Sequence, residues 1–175
     1  MTEHVVHGFG PVWDDASRVL VLGSMPSPKS REQGFYYMHP RNRFWPMMAA
    51  VFHDDPGVSP RQRAAFVLRH HVALWDVLAS CDISGASDGS IHNPELNDIE
   101  MMLRGAPIRL VLATGSKAGQ LYARLIEPGL RRRGIDVEMM TLASTSPANA
   151  AKSLDDPVSI YRAAFARAGV LGEGD

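Results

Sequence analysis

Apolar residues gather in four short runs along the chain, 18–22, 72–75, 109–113 and 137–142, each bounded by turn-forming residues. Short uninterrupted runs rich in Val and Leu are the pattern of strands buried on both faces. Between them the spacing changes to that of helices. The stretch 43–52 reads as one helix, with Pro46 tolerated in its first turn. Ser59 is placed as an N-cap, with Pro60 at the first helical position, ahead of a helix over 61–70. Asn97 and Asp98 precede a short periodic stretch to Leu103, Gly115 and Ser116 open a helix to about Ile126, and 159–168 forms the last. Strands alternating with helices predict an α/β fold: a central, mainly parallel four-stranded sheet with helices on both faces, a three-layer sandwich. The stretch 80–95, rich in Gly, Ser, Asp and Asn, has little periodicity and is expected to be a long functional or mobile loop. Residues before about Val12 and after Val170 are expected to be loosely held ends. There is no internal repeat and no low-complexity segment, so 1–175 reads as a single domain with its core over about 12–170.

Composition narrows the function classes. A chain of 175 residues with 45% hydrophobic and 21% charged content is that of an ordinary globular protein with a real core. The one cysteine, Cys81, rules out a disulfide framework within the chain and a four-cysteine iron–sulfur cluster. No apolar stretch is long enough to span a bilayer and the N-terminus lacks the layout of a signal peptide, so a cytoplasmic, nucleoid-associated location is the default expectation. His70, His71 and His92 have no partners at metal-ligand spacing. A net charge of −1 speaks for a metabolic enzyme rather than a protein that lives on nucleic acid, whose affinity comes largely from Lys and Arg neutralising phosphates. The distribution qualifies the sum. Lys29, Arg31, Arg41 and Arg43 cluster, while the acidic pairs at 14–15, 54–55 and 155–156 lie elsewhere, which predicts a locally basic face on a neutral body.

Candidate chemistry is densest between Gly23 and Trp45. Gly23, Ser24, Met25, Pro26 and Ser27 follow the first strand, and loops at the carboxyl ends of strands are where open α/β sheets bind ligands. The small residues let backbone approach a ligand closely, with the N–H groups of Ser24, Met25 and Ser27 available as donors. Met25 supplies a soft apolar wall. Phe35, Tyr36, Tyr37, His39, Arg41 and Asn42 come next. Aromatic faces, arginines and an amide are what holds an extruded nucleobase beside a phosphate backbone. The Asn42 amide can orient a water through its carbonyl and hold a base or sugar through its NH2. Its place before a helix also makes it a plain N-cap, the reading that residue pattern alone favours. Phe44 and Trp45 suit the core. Asp76, at the end of the second strand, can accept a purine N–H or cap the following turn, and the cap is the simpler role. Gly115-Ser116-Lys117 lacks the spacing of a phosphate-binding P-loop. Neither Ser24 nor Ser27 has the Gly-x-Ser-x-Gly surroundings of a hydrolase nucleophile.

Two blocks carry a family resemblance. Gly23-Ser24-Met25-Pro26 followed by His39-Pro40-Arg41-Asn42-Arg43-Phe44-Trp45 resembles the uracil-DNA glycosylase superfamily, whose mismatch-specific members carry Gly-x-Asn-Pro and His-Pro-Ala-Asn-Arg-Phe-Trp. Met25 stands where those enzymes keep a catalytic asparagine. The hypoxanthine-DNA (deoxyinosine) glycosylase branch lacks that asparagine too and relies on the later one, here Asn42, so the chain looks most like that branch. Ser144-Thr145-Ser146-Pro147-Ala148-Asn149-Ala150 resembles its second motif, and the likeness runs roughly from Val19 to Ala168. The resemblance implies a monofunctional, monomeric DNA glycosylase that flips a deaminated base and lets water attack the sugar, with no metal or other cofactor. It implies Asn42 as the catalytic residue. Base binding falls to Gly23, Ser24, Met25, Pro26, Ser27, Tyr37 and Asp76, with Tyr37 stacking on the base. DNA binding falls to Arg41, Ser144, Ser146, Pro147, Ala148 and Asn149. Ala148 is too small to plug the hole a flipped base leaves, and Ser144 replaces the histidine with which uracil enzymes stabilise the leaving base. A uracil-preferring glycosylase of the same fold, a non-catalytic DNA- or nucleobase-binding module and an unrelated small-molecule hydrolase stand as the alternatives.

Overall fold

The computed structural model describes residues 2–84, 88–147 and 155–172. The four apolar runs are its central sheet: β2 (Val19–Gly23), β3 (Val72–Asp76), β6 (Leu110–Thr114) and β7 (Glu138–Leu142), all parallel, in the order β3-β2-β6-β7. In register, Val21 lies opposite Leu74 on one side and Leu112 on the other, and Leu112 lies opposite Met140. Every residue of β2 and β3, and all of β6 but Thr114, is buried, so both faces of the sheet are covered there, while in the edge strand β7 only Leu142 is buried. The cover is helical. α3 (Pro60–Arg69) packs on β3, α5 (Ser116–Leu121) on β6 and β7, and α2 (Phe44–Phe52) against α7 (Asp155–Arg167), which reaches β7. Phe44, Phe66, Tyr161 and Phe165 are completely buried between these layers, each worth roughly 1.5–3 kcal/mol for the area removed from water. Because all four strands run the same way, their carboxyl ends share one edge of the molecule.

Two sequence expectations are overturned together. The stretch 80–95 is not simply a loop, and the first residues are not a loose end. β1 (Glu3–Val6), β4 (Leu78–Ile83) and β5 (His92–Leu96) form a second, antiparallel sheet in the order β1-β4-β5. Its strands escape detection for a physical reason. All five residues of β5 are exposed, so no apolar alternation marks it, and Pro94 within it is admissible only because the strand lies at the sheet's edge. Residues 85–87, inside the expected loop, lie outside the described residues.

The helices depart less. α3 has the expected cap in full: Ser59 accepts from Gln62 N and the Gln62 side chain accepts from Ser59 N at 3.0 Å, a reciprocal capping box. Asp98 caps α4 (Ile99–Gly105). α1 (Pro28–Gln33) is additional, with Ser27 as N-cap, Pro28 in its first turn and Gly34 at φ +71° behind it. It buries only Ser30, so it carries capping signals without apolar periodicity. The helix expected to stop near Ile126 runs on through a π-helical segment (Tyr122–Ile126) into α6 (Glu127–Arg132). Pro128 has no N–H to continue the α ladder, and Glu127 N bonds Tyr122 O five residues back instead. Among the described residues no helix is long and apolar enough to cross a membrane.

Candidate active site

All four parallel strands end on one cavity of about 710 Å³. Gly23 ends β2, Asp76 ends β3, Thr114 ends β6 and Ser144 follows β7, and each contributes to its wall. Of the residues singled out from sequence, Gly23, Ser24, Met25, Pro26, Ser27, Tyr37, Asn42, Asp76, Ser144, Ser146 and Pro147 line it. Arg41 does not line it. Arg41 lies exposed on the turn that precedes Asn42, where Asn42 N bonds His39 O at 2.9 Å. Ala148 and Asn149 lie outside the described residues.

The loop after β2 is clamped from both sides. Gly23 O and Ser24 O accept the backbone N–H groups of Val77 and Leu78 at 2.8 and 3.1 Å, and Arg31 donates to Pro26 O at 2.8 Å. A Cβ at Gly23 would collide with Asp76 Oδ1, so only glycine lets this carboxylate lie over the end of β2.

Asn42 sits between two motifs far apart in sequence. Its Oδ1 accepts Phe44 N at 2.9 Å, which fixes the amide's orientation, because an NH2 group cannot accept from a backbone N–H. The same oxygen accepts the Thr145 hydroxyl at 2.8 Å, and Thr145 O accepts Arg43 N at 3.1 Å. Asn42 is thus not the N-cap of α2, a place held by Arg43 with no side-chain cap bond; from one residue further out its oxygen takes the first N–H of that helix, and the side chain still lines the cavity. With both carbonyl lone pairs engaged, the expected orientation of a water by that carbonyl is not available in this arrangement, and the NH2 group is what remains for a ligand.

Tyr37 holds a left-handed backbone, φ +54°, which is strained for a residue with a side chain. Its ring lies on Phe44 with centroids 3.9 Å apart and planes 22° apart, and its hydroxyl meets Thr114 Oγ1 at 3.4 Å. One ring face is thus covered by the core and the ring borders the cavity. Phe44 and Trp45 are buried, as expected of core residues. Burial, and secondarily the nearby Asp76, raises the phenol pKa of both Tyr36 and Tyr37 well above the ordinary 10, so both are neutral hydroxyls. The Tyr36 hydroxyl donates to Gly10 O at 2.8 Å.

Asp76 is only 4% exposed. Its carboxylate does not cap the following turn. Oδ2 accepts from His7 Nε2 at 2.7 Å, while the backbone carbonyl of Asp76 is held by Asn97 Nδ2 at 2.9 Å. His7 follows β1, in the segment expected to be loose, and nothing in its sequence surroundings marks it. Thr114 and Thr145 were missed as well. Thr145 lies inside the second motif, but its role shows only when α2 is brought against it. Among the clustered cations, Lys29 and Arg31 line the cavity, whereas Arg43 is half-buried with its Nε fully enclosed, so the basic face is narrower than expected. Among the described residues no group of three or more His, Cys, Asp or Glu is placed to hold a metal ion.

The ends of the parallel strands thus gather an amide, an aromatic face, a buried carboxylate and peripheral cations around one cavity. The family model of the uracil DNA glycosylase superfamily matches residues 11–166, and the chain belongs to that superfamily. Among its relatives are two proteins named hypoxanthine DNA glycosylase. The one from Methanosarcina barkeri is 33% identical over 91% of this chain and 98% of its own length, and the one from Methanosarcina acetivorans is 32% identical over 83% and 89%. A solution NMR structure from Methanosarcina acetivorans, described as a candidate uracil DNA glycosylase, superposes with a TM-score of 0.77. It is 29% identical and covers 97% of this chain and 99% of that one.

Proposed function

We propose that this protein is a monofunctional DNA glycosylase that flips hypoxanthine out of DNA and hydrolyses its bond to deoxyribose. The observation that carries the reading is the joining of Asn42, Tyr37 and Asp76 at one cavity, on a chain whose curated relatives are named for hypoxanthine. Tyr37 presents its free face to the flipped base. Asp76 accepts a base N–H. The Asn42 NH2 group and the backbone N–H groups after Gly23 donate to the base as negative charge develops on it. Met25 replaces a water-activating amide, and the Asn42 carbonyl is occupied, so the rate depends chiefly on stabilising the departing base rather than on activating water. Lys29, Arg31 and Arg41, with Ser144 and Ser146, meet the phosphates around the cavity. The protein works as a monomer folded as one domain, and it needs no cofactor for this step.

Base release from duplexes with a single hypoxanthine or a single uracil, using wild type and Asn42→Ala side by side, tests the proposal. Hypoxanthine is expected to leave preferentially, and Asn42→Ala to lower the rate on the order of 10²–10³-fold. Duplex binding with release of neither base would replace the enzyme with a binding module. Uracil released faster than hypoxanthine would make the protein a uracil-preferring enzyme.

A further inference from the structure

We propose that His7 is a positioning residue that fixes Asp76 as a one-sided acceptor, and that the pair selects bases carrying a ring N–H beside a carbonyl: hypoxanthine, xanthine and uracil, against adenine. The inference rests on the glycosylase reading above.

Four observations carry it. The His7 and Asp76 side chains are each 5% exposed, and Nε2 lies 2.7 Å from Oδ2. A carboxylate oxygen offers only lone pairs, so Nε2 carries the proton and donates. His7 is locked in place. Its ring packs against Phe9 at 4.5 Å and Tyr36 at 5.8 Å, and its backbone N–H bonds Ala79 O at 2.9 Å, which ties it to β4. Its Nδ1 is buried without a partner among the described residues, and within these the ring's hydrogen-bonding contact is the one to Asp76.

Oδ1 is the other half of the arrangement. It overhangs Gly23, where any Cβ would collide with it, and no group among the described residues bonds it. Asp76 lines the cavity. The carboxylate cannot turn to share its oxygens, because turning would strand the buried His7 N–H. Oδ1 is therefore held as one acceptor at one place. The N1–H of hypoxanthine, or the N3–H of uracil, supplies the proton it needs. Adenine presents a bare N1 lone pair to the same oxygen, which leaves both acceptors unpaired and their charges opposed. The contact exists before and during bond cleavage, so it contributes to binding more than to the limiting rate.

The test compares duplexes with one hypoxanthine and one 1-deazahypoxanthine, in which C–H replaces the N1–H at nearly constant shape. Single-turnover base release is measured for wild type, Asp76→Ala, His7→Phe and His7→Gln across DNA concentration. Wild type is expected to favour hypoxanthine on the order of 10²-fold. Asp76→Ala and His7→Phe are expected to bring that preference to within about tenfold, chiefly by raising the DNA concentration for half-maximal release. An intact fold is read separately for each variant, from its circular dichroism and a cooperative thermal melt. His7→Gln, which keeps a donor, is expected to restore part of the preference. Equal release of the two bases by wild type would overturn the proposal, as would a His7→Phe variant that slows both bases alike. If His7→Phe does not fold, Asp76→Ala on the same pair decides. Failure of wild type to release hypoxanthine at all would instead defeat the glycosylase reading.

Discussion

Asn42 meets the cavity with its oxygen already accepting two bonds, and the second of these comes from Thr145, a residue 103 positions away. The Thr145 hydroxyl holds the amide plane, and with it the direction of the NH2 group. Replacing Thr145 with Val removes the hydroxyl at nearly constant shape. The expected result is about 1 kcal/mol less stability in urea unfolding and about tenfold slower single-turnover hypoxanthine release, with Thr145→Ser close to wild type in both. The local sequence around Asn42 and Tyr37 pointed to a nucleobase site without saying which end of the amide faces it. That direction depends on Phe44 N and Thr145, so motif spacing carries no trace of it. His7 was further from legible. A lone histidine near a terminus gains meaning only when β1 pairs with β4 and sets it 2.7 Å from Asp76.

At the scale of elements, the strands written most plainly in the sequence are those buried on both faces. β2, β3 and β6 need apolar residues at nearly every position, whereas β7, at the sheet's edge with only Leu142 buried, is marked by Met139, Met140 and Leu142. β5 makes no such demand, because its side chains all face solvent and its place is set by backbone bonds to β4. The helices follow the same logic, with caps as the legible part. α3 begins where Ser59 and Gln62 satisfy each other's backbone N–H groups. Ser59→Ala is expected to cost about 1 kcal/mol, or about 2–4 °C in Tm for a domain of this size, with base release unchanged, since α3 packs on β3 away from the cavity. Thermal unfolding with a parallel release assay checks it.

Over the whole molecule, stability is expected to fall off at both ends of the pH scale, through groups that can be named. Hydrogen bonds from Arg69 first, then His70, hold the Asp54 carboxyl down at about 2. A carboxyl lowered by folding contributes stability above its ordinary value of 3.8, and that contribution is lost as pH falls through about 2. At the other end, burial raises the phenols of Tyr36, Tyr37 and Tyr161 above 10. Their contribution is complete below pH 10 and is lost as pH rises beyond it, where the unfolded chain ionises first. Tm measured from pH 2 to 11 is expected to show both declines, and Asp54→Asn to remove the Asp54 part of the acid one while leaving the alkaline one. By itself, the sequence determined the parallel sheet, most of its helices and the loop that forms the cavity wall, because continuous burial and helix capping are local requirements that only certain residues meet. The second sheet, the His7–Asp76 pair and the direction of the Asn42 amide were decided by tertiary structure alone. Each depends on backbone pairing or on a single hydrogen bond between residues distant in the chain, and such contacts leave no periodicity in the residues that make them.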